Sequence, residues 1–353
     1  ICNALAFGAL RTTAEGQSVF KLIGEDGMGL LGESFKSTEC MDNHLFFRLI
    51  SCTLALGGNG CVSLHDESSA QSFELRENHS VRIDPILPEV VRSGGLVFDS
   101  AGVLYFSNYL HRGTIGRYTA DDTSPPTTFI DLNEWMTSYD DRSPDIRGLV
   151  LDREGRLIGA DAGTGKIIRM AHDASKVEVL ADSYEGMLFD SVHDVALSPD
   201  GVIFASSPGD GVIYCIRPEE GEVKILNYDL VRGDGLAISP DGARLVVTEP
   251  DAARVLIFAL DKETSGIFPS ATIDFSDSGQ SPRGLAFDPA GRLYVAMGES
   301  GLVNVFDPSD TKLLRTYEVG DSADRLFINN GELWVSGDQS EGLRRVKLKK
   351  ATP

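Results

Sequence analysis

The segment DGLAISPDGARLVVTE, residues 234–249, contains the pattern that decides the fold. A short apolar run (236–238) leads into Ser-Pro-Asp-Gly (239–242), and a second apolar run (244–247) follows. Proline presets φ for a tight turn and glycine supplies a positive φ, so this tetrapeptide reverses the chain. The segment therefore predicts two antiparallel β-strands joined by a tight turn.

The same phrase recurs along the chain, with apolar runs and turn residues at matching positions. Its copies begin at residues 94, 147, 193, 234, 283 and 324, so successive copies are 41 to 53 residues apart. Further apolar runs, such as RVLIFAL (254–260), supply a third strand and leave room for a fourth. A lone four-stranded sheet cannot bury both faces, whereas six sheets packed around an axis can. The repeat predicts an all-β fold, a six-bladed β-propeller with four-stranded antiparallel blades.

Acidic residues at the turns of this phrase are predicted to be structural. Asp99, Asp152 and Asp288 stand at the turn in their copies, as Ser-Pro-Asp-Gly does in residues 239–242. Asp and Ser side chains commonly bond to backbone N–H groups two residues further on, which stabilises such turns.

The repeats divide the chain into two regions. Residues 71–350 form the predicted propeller, and we expect a strand within 72–84 to close the ring by pairing with the last blade. Residues 1–70 lack the repeat and are interpreted as an N-terminal extension, and the sequence leaves open whether they belong to the mature protein. Within them, residues 41–56 read either as a buried or amphipathic helix or as a signal-like segment, too short to span a membrane. Together with the sequon at Asn78, this segment favours a secreted or periplasmic location and leaves a cytoplasmic one open.

The charge of the chain limits its partners. Fifty-three acidic and 32 basic residues give a formal net charge of −21, which repels phosphate backbones and anionic lipid. We therefore expect a small-molecule partner rather than a nucleic acid or a membrane. The basic run 344–350 is interpreted as a solvated strand edge. The five cysteines, four of them before residue 62, leave both free thiols and one or two disulfides open.

The residue just before the inner strand of each blade is expected to lie beside the axis. We call these six residues the column. Their type differs from blade to blade: they are Gly94, Arg147, His193, Asp234, Arg283 and Asp324. Charged groups in a confined channel need partners or ligands, because an unpaired buried charge is costly. The column therefore predicts either a binding or catalytic site or a set of structural ion pairs in which the two arginines neutralise the two aspartates.

The repeats resemble the senescence marker protein/gluconolactonase family, including luciferin-regenerating-enzyme-like proteins and related to strictosidine-synthase-like propellers. The resemblance covers roughly residues 85–348 and is carried by GDGLAISPDGARLVVTEP (233–250), RGLVLDREGRLIGAD (147–161) and SPRGLAFDPAGRLYVA (281–296). It implies a six-bladed propeller and a divalent metal, often calcium, on the channel floor.

The three metal-ligand positions implied by the resemblance fall on Gly94, Asp234 and Arg283. Only Asp234 offers an oxygen ligand, and Arg283 would repel a cation, so a bound calcium is not expected from these residues. A family Asn-Asp pair corresponds here to His193-Asp194.

The resemblance makes hydrolysis of a lactone or ester the first functional hypothesis. An arginine (Arg147 or Arg283) would stabilise the oxyanion, and His193 or Asp234 would act as general base. The alternatives are a metal-independent cyclase or condensing enzyme of natural-product biosynthesis and a non-catalytic ligand-binding propeller. Further candidates for substrate contact are Asp324, Asp194, His111, Trp135 and Tyr139. The last two lie within the insertion 131–147, which is expected either to cap the channel or to pack against the fold.

Overall fold

The computed structural model describes residues 11–12, 18–19, 21–23, 29–31, 78–80, 83–87, 90, 93–119, 124–136, 141–260, 268–337 and 342–348. The chain divides into two compact units, Ile1–Ala70 and Gln71–Pro353. The described strands of the first unit form two antiparallel pairs, β1 (Arg11–Thr12) with β2 (Ser18–Val19) and β3 (Lys21–Ile23) with β4 (Gly29–Leu31). The segment 41–56 and the four N-terminal cysteines lie outside the described residues.

The second unit begins with two strands that later join distant sheets, β5 (Asn78–Ser80) and β6 (Ile83–Leu87). Blade 1 follows with β7 (Leu96–Phe98), β8 (Val103–Ser107), β9 (Thr114–Thr119) and β10 (Thr127–Asp131). Blade 2 contains β11 (Ile146–Leu151), β12 (Leu157–Asp161), β13 (Lys166–Met170) and β14 (Val177–Ala181). A hairpin of β15 (Ser183–Tyr184) and β16 (Met187–Leu188) precedes blade 3, which contains β17 (Asp194–Leu197), β18 (Ile203–Ser207), β19 (Val212–Arg217) and β20 (Glu222–Asn227).

The remaining three blades follow the same order. Blade 4 contains β21 (Leu236–Ile238), β22 (Arg244–Glu249), β23 (Arg254–Ala259) and β24 (Ala271–Asp274). Blade 5 contains β25 (Leu285–Phe287), β26 (Leu293–Ala296), β27 (Leu302–Asp307) and β28 (Lys312–Glu318). Blade 6 contains β29 (Arg325–Asn329), β30 (Glu332–Ser336) and β31 (Leu343–Lys347). The helices of the described residues are single 3-10 turns at Leu132–Glu134, Pro218–Glu220, Pro250–Ala252 and Ser276–Ser278, and none of them has the length and apolar character needed to cross a lipid bilayer.

The inner strands close a ring around one axis. Each contacts the inner strand of the next blade, in the order β7, β11, β17, β21, β25 and β29, and β29 contacts β7 again. Within a blade the four strands pair antiparallel, as in β21–β22–β23–β24. The predicted six-bladed propeller is confirmed.

The ring is closed by a strand slightly further along the chain than the sequence predicts. The closing strand β6 pairs antiparallel with β31 as the outer strand of blade 6, and only its first two residues fall within the expected 72–84. Residues 78–80 of that range instead form β5, which pairs parallel with β28 as a fifth strand of blade 5. The N-terminal part of the propeller therefore ties two blades together.

The apolar core lies between the blades rather than within them. Six buried clusters each combine side chains of two neighbouring blades. Alternate residues of one inner strand serve different clusters: Val97 packs towards blade 2, while Leu96 and Phe98 pack towards blade 6. This alternation follows from the two-residue period of a strand, and it lets each sheet bury both of its faces against neighbouring blades.

The turns between the first and second strands are held by the side chains that the sequence assigns to them. Asp99 Oδ1 accepts hydrogen bonds from the backbone N–H groups of Ala101 and Val103. Asp152 and Asp288 make the equivalent pairs of bonds in blades 2 and 5. The predicted structural role of these carboxylates is confirmed.

The basic run near the C-terminus is not a solvated edge, as the sequence suggested. Its residues 344–347 belong to β31, which pairs with β30 on one side and with β6 on the other, and residues 349–350 lie outside the described residues. Arg344 is 3% exposed, and its guanidinium donates to the carbonyl oxygens of Val319 and Ser322. The guanidinium of Arg345 lies over the ring of Trp334. The added strand β6 covers the side of β31 that would otherwise be an edge.

Candidate functional site

The column residues are held at the start of the inner strands by a repeated set of backbone hydrogen bonds. The backbone N–H groups of His193, Asp234, Arg283 and Asp324 each donate to a carbonyl of the second strand in the same blade, at 2.8–2.9 Å. In two cases a hydroxyl of the preceding blade also fixes the column carbonyl: Ser206 Oγ donates to Asp234 O, and Thr248 Oγ1 donates to Arg283 O, both at 2.7 Å. The backbone that positions this site is therefore rigid.

A glycine follows the column residue in four blades because the next blade lies against it. A Cβ at Gly95 would lie 2.7 Å from the backbone nitrogen of Leu149, and Cβ atoms at Gly235 and Gly284 would come within 2.5 Å of a carbonyl oxygen. Contacts below about 3.0 Å do not occur between real Cβ atoms and backbone. Blades 3 and 6 depart from this rule, with Asp194 and Arg325 at the glycine position.

Arg325 lies between two aspartates of other blades. Its Nη1 is 3.4 Å from Asp194 Oδ2, and its Nη2 donates to Asp234 Oδ1 at 3.1 Å. Arg325 is 8% exposed and Asp234 is also 8% exposed. Asp194 in addition accepts hydrogen bonds from the backbone N–H groups of Val195 and Leu236, both at 2.9 Å. The centre of the ring is thus an ion cluster of two carboxylates and one guanidinium.

His193 and Arg283 complete this cluster around Asp234. His193 Nδ1 is 3.3 Å from Asp234 Oδ1, and Arg283 Nη1 is 3.8 Å from Asp234 Oδ2. The side chains of His193 and Arg283 are 18% and 40% exposed, so both reach solvent whereas Arg325 is enclosed. We refer to Asp194, Asp234, Arg325, His193 and Arg283 together as the central cluster.

Neighbouring charges and burial shift the pKa values of the two carboxyl groups of the cluster in opposite directions. Burial alone would raise the pKa of Asp234, but Arg325, His193 and Arg283 together hold that pKa well below its usual range. Burial raises the pKa of Asp194 to about 6, against the opposing effects of Arg325 and two backbone N–H groups. For Arg325, burial is outweighed by Asp234 and Asp194, which raise its pKa. Asp234 is therefore a carboxylate, and Arg325 a cation, throughout the neutral range.

This arrangement gives His193 the geometry of a general base. An ionised Asp234 accepts a hydrogen bond from Nδ1–H, which leaves the lone pair of the imidazole on Nε2. A carboxylate in this position holds the ring in one orientation and stabilises the imidazolium once the ring gains a proton. The cluster can therefore take a proton from water and return it to a leaving group.

An axial cavity of about 470 Å³ lies along the inner strands. Asp194 and Arg325 are its ionisable lining residues, and the rest of the lining consists of glycine and apolar residues of the six inner strands. Of the six column residues only Gly94 lines it. The sequence placed the convergence of charges at the column, and the structure moves part of it one residue further, to the glycine position.

The other candidate residues have different surroundings from those expected. Arg147 does not neutralise a column aspartate: its Nε and Nη2 donate to Asp145 Oδ2 at 3.2 and 3.0 Å, and its side chain is 40% exposed. The side chain of Asp324 has no hydrogen bond or ion pair in the described part of the chain, although its charge acts on Arg325. The ion-pair interpretation thus holds for Arg283 with Asp234 and is wrong for Arg147.

The remaining candidates lie away from the contacts of the central cluster. His111 is in the loop between β8 and β9, with a side chain 56% exposed, and its Nε2 is 3.4 Å from Asp131. Trp135 follows the 3-10 turn Leu132–Glu134 and is 46% exposed. Tyr139 lies outside the described residues, so a cap over the channel by the insertion 131–147 stays a prediction.

The described donors do not fit a divalent metal site. No group of three or more His, Cys, Asp or Glu side chains within the described residues is arranged to hold a metal ion. Hard cations such as calcium need several oxygen ligands, whereas the carboxylate oxygens of Asp194 and Asp234 face the guanidinium of Arg325.

A family model for the SMP-30/gluconolactonase/LRE-like region matches residues 94–326. The chain belongs to this family. The match spans the inner strands of blades 1 to 5 and the first two residues of β29, and it includes every residue of the central cluster.

Curated members and relatives of the family are similar to this chain at low identity. A gluconolactonase of Zymomonas mobilis is 26% identical over 192 residues, covering 47% of this chain and 52% of that protein. The protein strictosidine synthase-like 7 of Arabidopsis thaliana is 22% identical over 179 residues, covering 46% of each chain. The lactonase drp35 of Staphylococcus aureus is 24% identical over 265 residues, covering 70% of this chain and 75% of that protein. The chain spans about half the length of the first two of these relatives.

Solved structures share the fold. A gluconolactonase from Xanthomonas campestris has a TM-score of 0.63 at 22% identity, covering 76% of this chain and 90% of that one. Regucalcin from Agrobacterium tumefaciens, described as a calcium-binding protein, has a TM-score of 0.60 at 16% identity, covering 78% and 98%. At these identities the likeness shows the fold alone. Two of the curated relatives carry lactonase names, the gluconolactonase of Zymomonas mobilis and drp35 of Staphylococcus aureus.

Proposed function

We propose that the protein hydrolyses a small lactone or ester at the central cluster, with His193 as general base. The observation that carries the proposal is the contact of His193 Nδ1 with the buried, ionised Asp234 at 3.3 Å. Family membership and the lactonase relatives support the reaction class. The substrate within this class is part of the proposal.

The chemical steps assign one task to each group. His193 Nε2 takes a proton from water as the water oxygen bonds to the carbonyl carbon of the substrate. The negative charge that develops on the carbonyl oxygen needs a cation within hydrogen-bond reach. Collapse of the tetrahedral species breaks the bond between the carbonyl carbon and the ring or ester oxygen, and His193 returns the proton to that oxygen. The product hydroxy acid then releases one proton to solvent at neutral pH.

Arg283 is the better candidate for the oxyanion than Arg147. Its guanidinium contacts the cluster only at 3.8 Å from Asp234 and is 40% exposed, so its other N–H groups can face a bound substrate. Arg147 is equally exposed but already donates two hydrogen bonds to Asp145. We assign Arg147 to the outer part of the substrate rather than to the reacting carbonyl.

The test measures the rate of proton release from D-glucono-1,5-lactone, a pentonolactone and phenyl acetate by titration at constant pH. The rates are corrected for spontaneous hydrolysis. We expect His193→Ala to lower kcat by about 10²–10⁴-fold and Arg283→Ala by about 10²–10³-fold. His111→Ala is the matched control, because His111 is exposed and pairs with Asp131 outside the cluster, and it should keep the wild-type rate. Equal rates for wild type and His193→Ala would rule out the assignment of the base.

A metal-independent cyclase or condensing enzyme is the second candidate. It is favoured by the carboxylate–guanidinium contacts, which leave no three-ligand metal group in the described residues, and by the similarity to strictosidine synthase-like 7. Thermal stabilisation by a natural-product precursor, without any turnover of the lactone and ester panel, would select this candidate. A non-catalytic binding propeller would instead retain its ligand with His193→Ala and show no turnover.

A further inference from the structure

The central cluster contains a cation that belongs to the chain itself. Arg325 stands at a position that is glycine in four of the other five blades, and its guanidinium contacts Asp194 and Asp234 from blades 3 and 4. Both aspartates are almost fully enclosed, with side chains 14% and 11% exposed. Two carboxylates at this depth require a positive charge between them.

Stability alone does not explain this arrangement. Taking three ionised groups out of water costs several kcal/mol each, so a buried ion cluster is weak evidence for stabilisation. Arg325 Nε is moreover buried without an acceptor among the described residues, which adds to that cost. A glycine here, as in the other blades, together with neutral residues in place of the aspartates would avoid both costs.

We propose that Arg325 is a built-in counter-cation that takes the place of a divalent metal at the axis of this propeller. It keeps Asp234 ionised and oriented for His193, so it is a positioning residue. The inference concerns the charge balance of the site and does not depend on the proposed hydrolysis.

The surroundings of the two carboxylates predict what happens when Arg325 is removed. Asp194 is held by the backbone N–H groups of Val195 and Leu236, and the backbone of Asp234 is held by Ser206 and Thr248. None of these bonds involves Arg325, so the backbone of Asp194 and Asp234 should stay in place. Removal of the guanidinium would then leave two carboxyl groups without their counter-charge, raise the pKa of Asp194 further, and leave space for a hydrated cation. Binding of calcium there would displace the proton of Asp194, which makes this a weak calcium site.

The experiment is thermal unfolding and calorimetric titration with CaCl₂ of the full-length wild type and of Arg325→Gly, both prepared in EDTA and dialysed. The wild type should show no calcium-dependent shift in Tm. Arg325→Gly should bind calcium with a dissociation constant on the order of 10⁻⁴–10⁻³ M, and saturating calcium should raise its Tm by about 5 °C.

Three matched variants define the origin of this gain. Arg325→Lys retains a cation and should not respond to calcium. Arg283→Gly removes a cation near Asp234 without opening the space between the two carboxylates, and it should not respond either. Arg325→Gly combined with Asp194→Asn should lose the response, because one of the two carboxylates is gone.

A calcium-dependent rise in Tm of the wild-type protein would overturn the proposal, because the site would then hold metal beside Arg325. The proposal would also be overturned if Arg325→Gly neither bound calcium nor showed a calcium-dependent rise in Tm. Should Arg325→Gly fail to fold, Arg325→Gln carries the same test, because it removes the charge and keeps a hydrogen-bonding side chain. None of these readouts uses turnover, so loss of the proposed hydrolase activity would not be mistaken for failure of this inference.

Discussion

Four blades and two blades of this propeller use the same backbone position in different ways. In blades 1, 2, 4 and 5 the residue after the column position is glycine, and the next blade packs directly against it. In blades 3 and 6 the position is occupied by Asp194 and Arg325, which meet across the axis although they are 131 residues apart. Blades 3 and 6 face each other in a six-membered ring, so the two exceptions to the repeat form one contact.

The comparison distinguishes residues that recur because they maintain the fold from residues that belong to the candidate site. The glycines of blades 1, 2, 4 and 5 and the turn carboxylates of blades 1, 2 and 5 recur because these blades meet the same packing and turn requirements. Asp194, Asp234 and Arg325 do not repeat, and burial in the centre makes each dependent on the others. In this protein, the candidate site therefore lies where the residues depart from the repeat pattern.

Removal of the guanidinium of Arg325 should produce the largest change in stability. Arg325→Met leaves two buried carboxylates without their main counter-charge, so we expect the free energy of unfolding to fall by about 3–5 kcal/mol. Arg147→Met is the control, because its ion pair with Asp145 is 40% exposed on the arginine side, and it should cost about 1 kcal/mol or less. Urea denaturation measures both. A loss below 1 kcal/mol for Arg325→Met would contradict the importance given to this contact.

The pH dependence of stability should reveal the buried carboxyl of Asp194. Its pKa is raised from 3.8 to about 6 in the folded state, so the folded protein binds this proton more tightly than the unfolded chain does. The stability contribution is therefore fully present below about pH 4 and is lost as the pH rises to about 6, a change of about 3 kcal/mol.

Asp194→Asn removes this titration and serves as the comparison. The difference in unfolding free energy between wild type and Asp194→Asn, measured between pH 4 and pH 7, should change by about 3 kcal/mol across that interval. Parallel pH profiles would show that Asp194 titrates normally.

Adding a Cβ at one of the glycines between blades should lower the free energy of unfolding by less than removing the charge of Arg325 does. In Gly148→Ala the new Cβ would lie 2.8 Å from Asp194 Cα, so blade 3 must shift, at a cost of about 1–3 kcal/mol. Gly159→Ala is the matched control in the same blade, because its Cβ would meet neighbours no closer than 3.4 Å. Equal stability of the two variants would show that the close approach of the blades does not require glycine.

The fold was predictable from the sequence because its determinants are local and repeated. The six copies, their spacing and the Pro-Asp-Gly type of turn required no knowledge of distant contacts. The closing strand was placed too early in the chain, since β6 carries no copy of the phrase and its partner β31 is some 260 residues away. The interpretation of Arg344 failed for the same reason, because β6 covers the predicted edge.

The site was predictable only in part. The column identified His193, Asp234 and Arg283, and the structure joins these three. The column does not include Arg325, because Arg325 lies one residue further along the chain, at the glycine position. A signal was present: Asp194 and Arg325 are the two exceptions at that glycine, with opposite charges and three blades apart. The pairing of Arg147 with Asp145 lies within one segment, and no repeat pattern indicates it.

The calcium dependence of lactone hydrolysis by the purified wild-type protein tests the central claim most directly. Initial rates of proton release would be compared in EDTA and in calcium, together with the metal content of the same sample. With Arg325 as the counter-cation, the account predicts the same rate within about twofold in both conditions and far less than one metal ion per chain. A rate that disappears in EDTA and returns with calcium would contradict it.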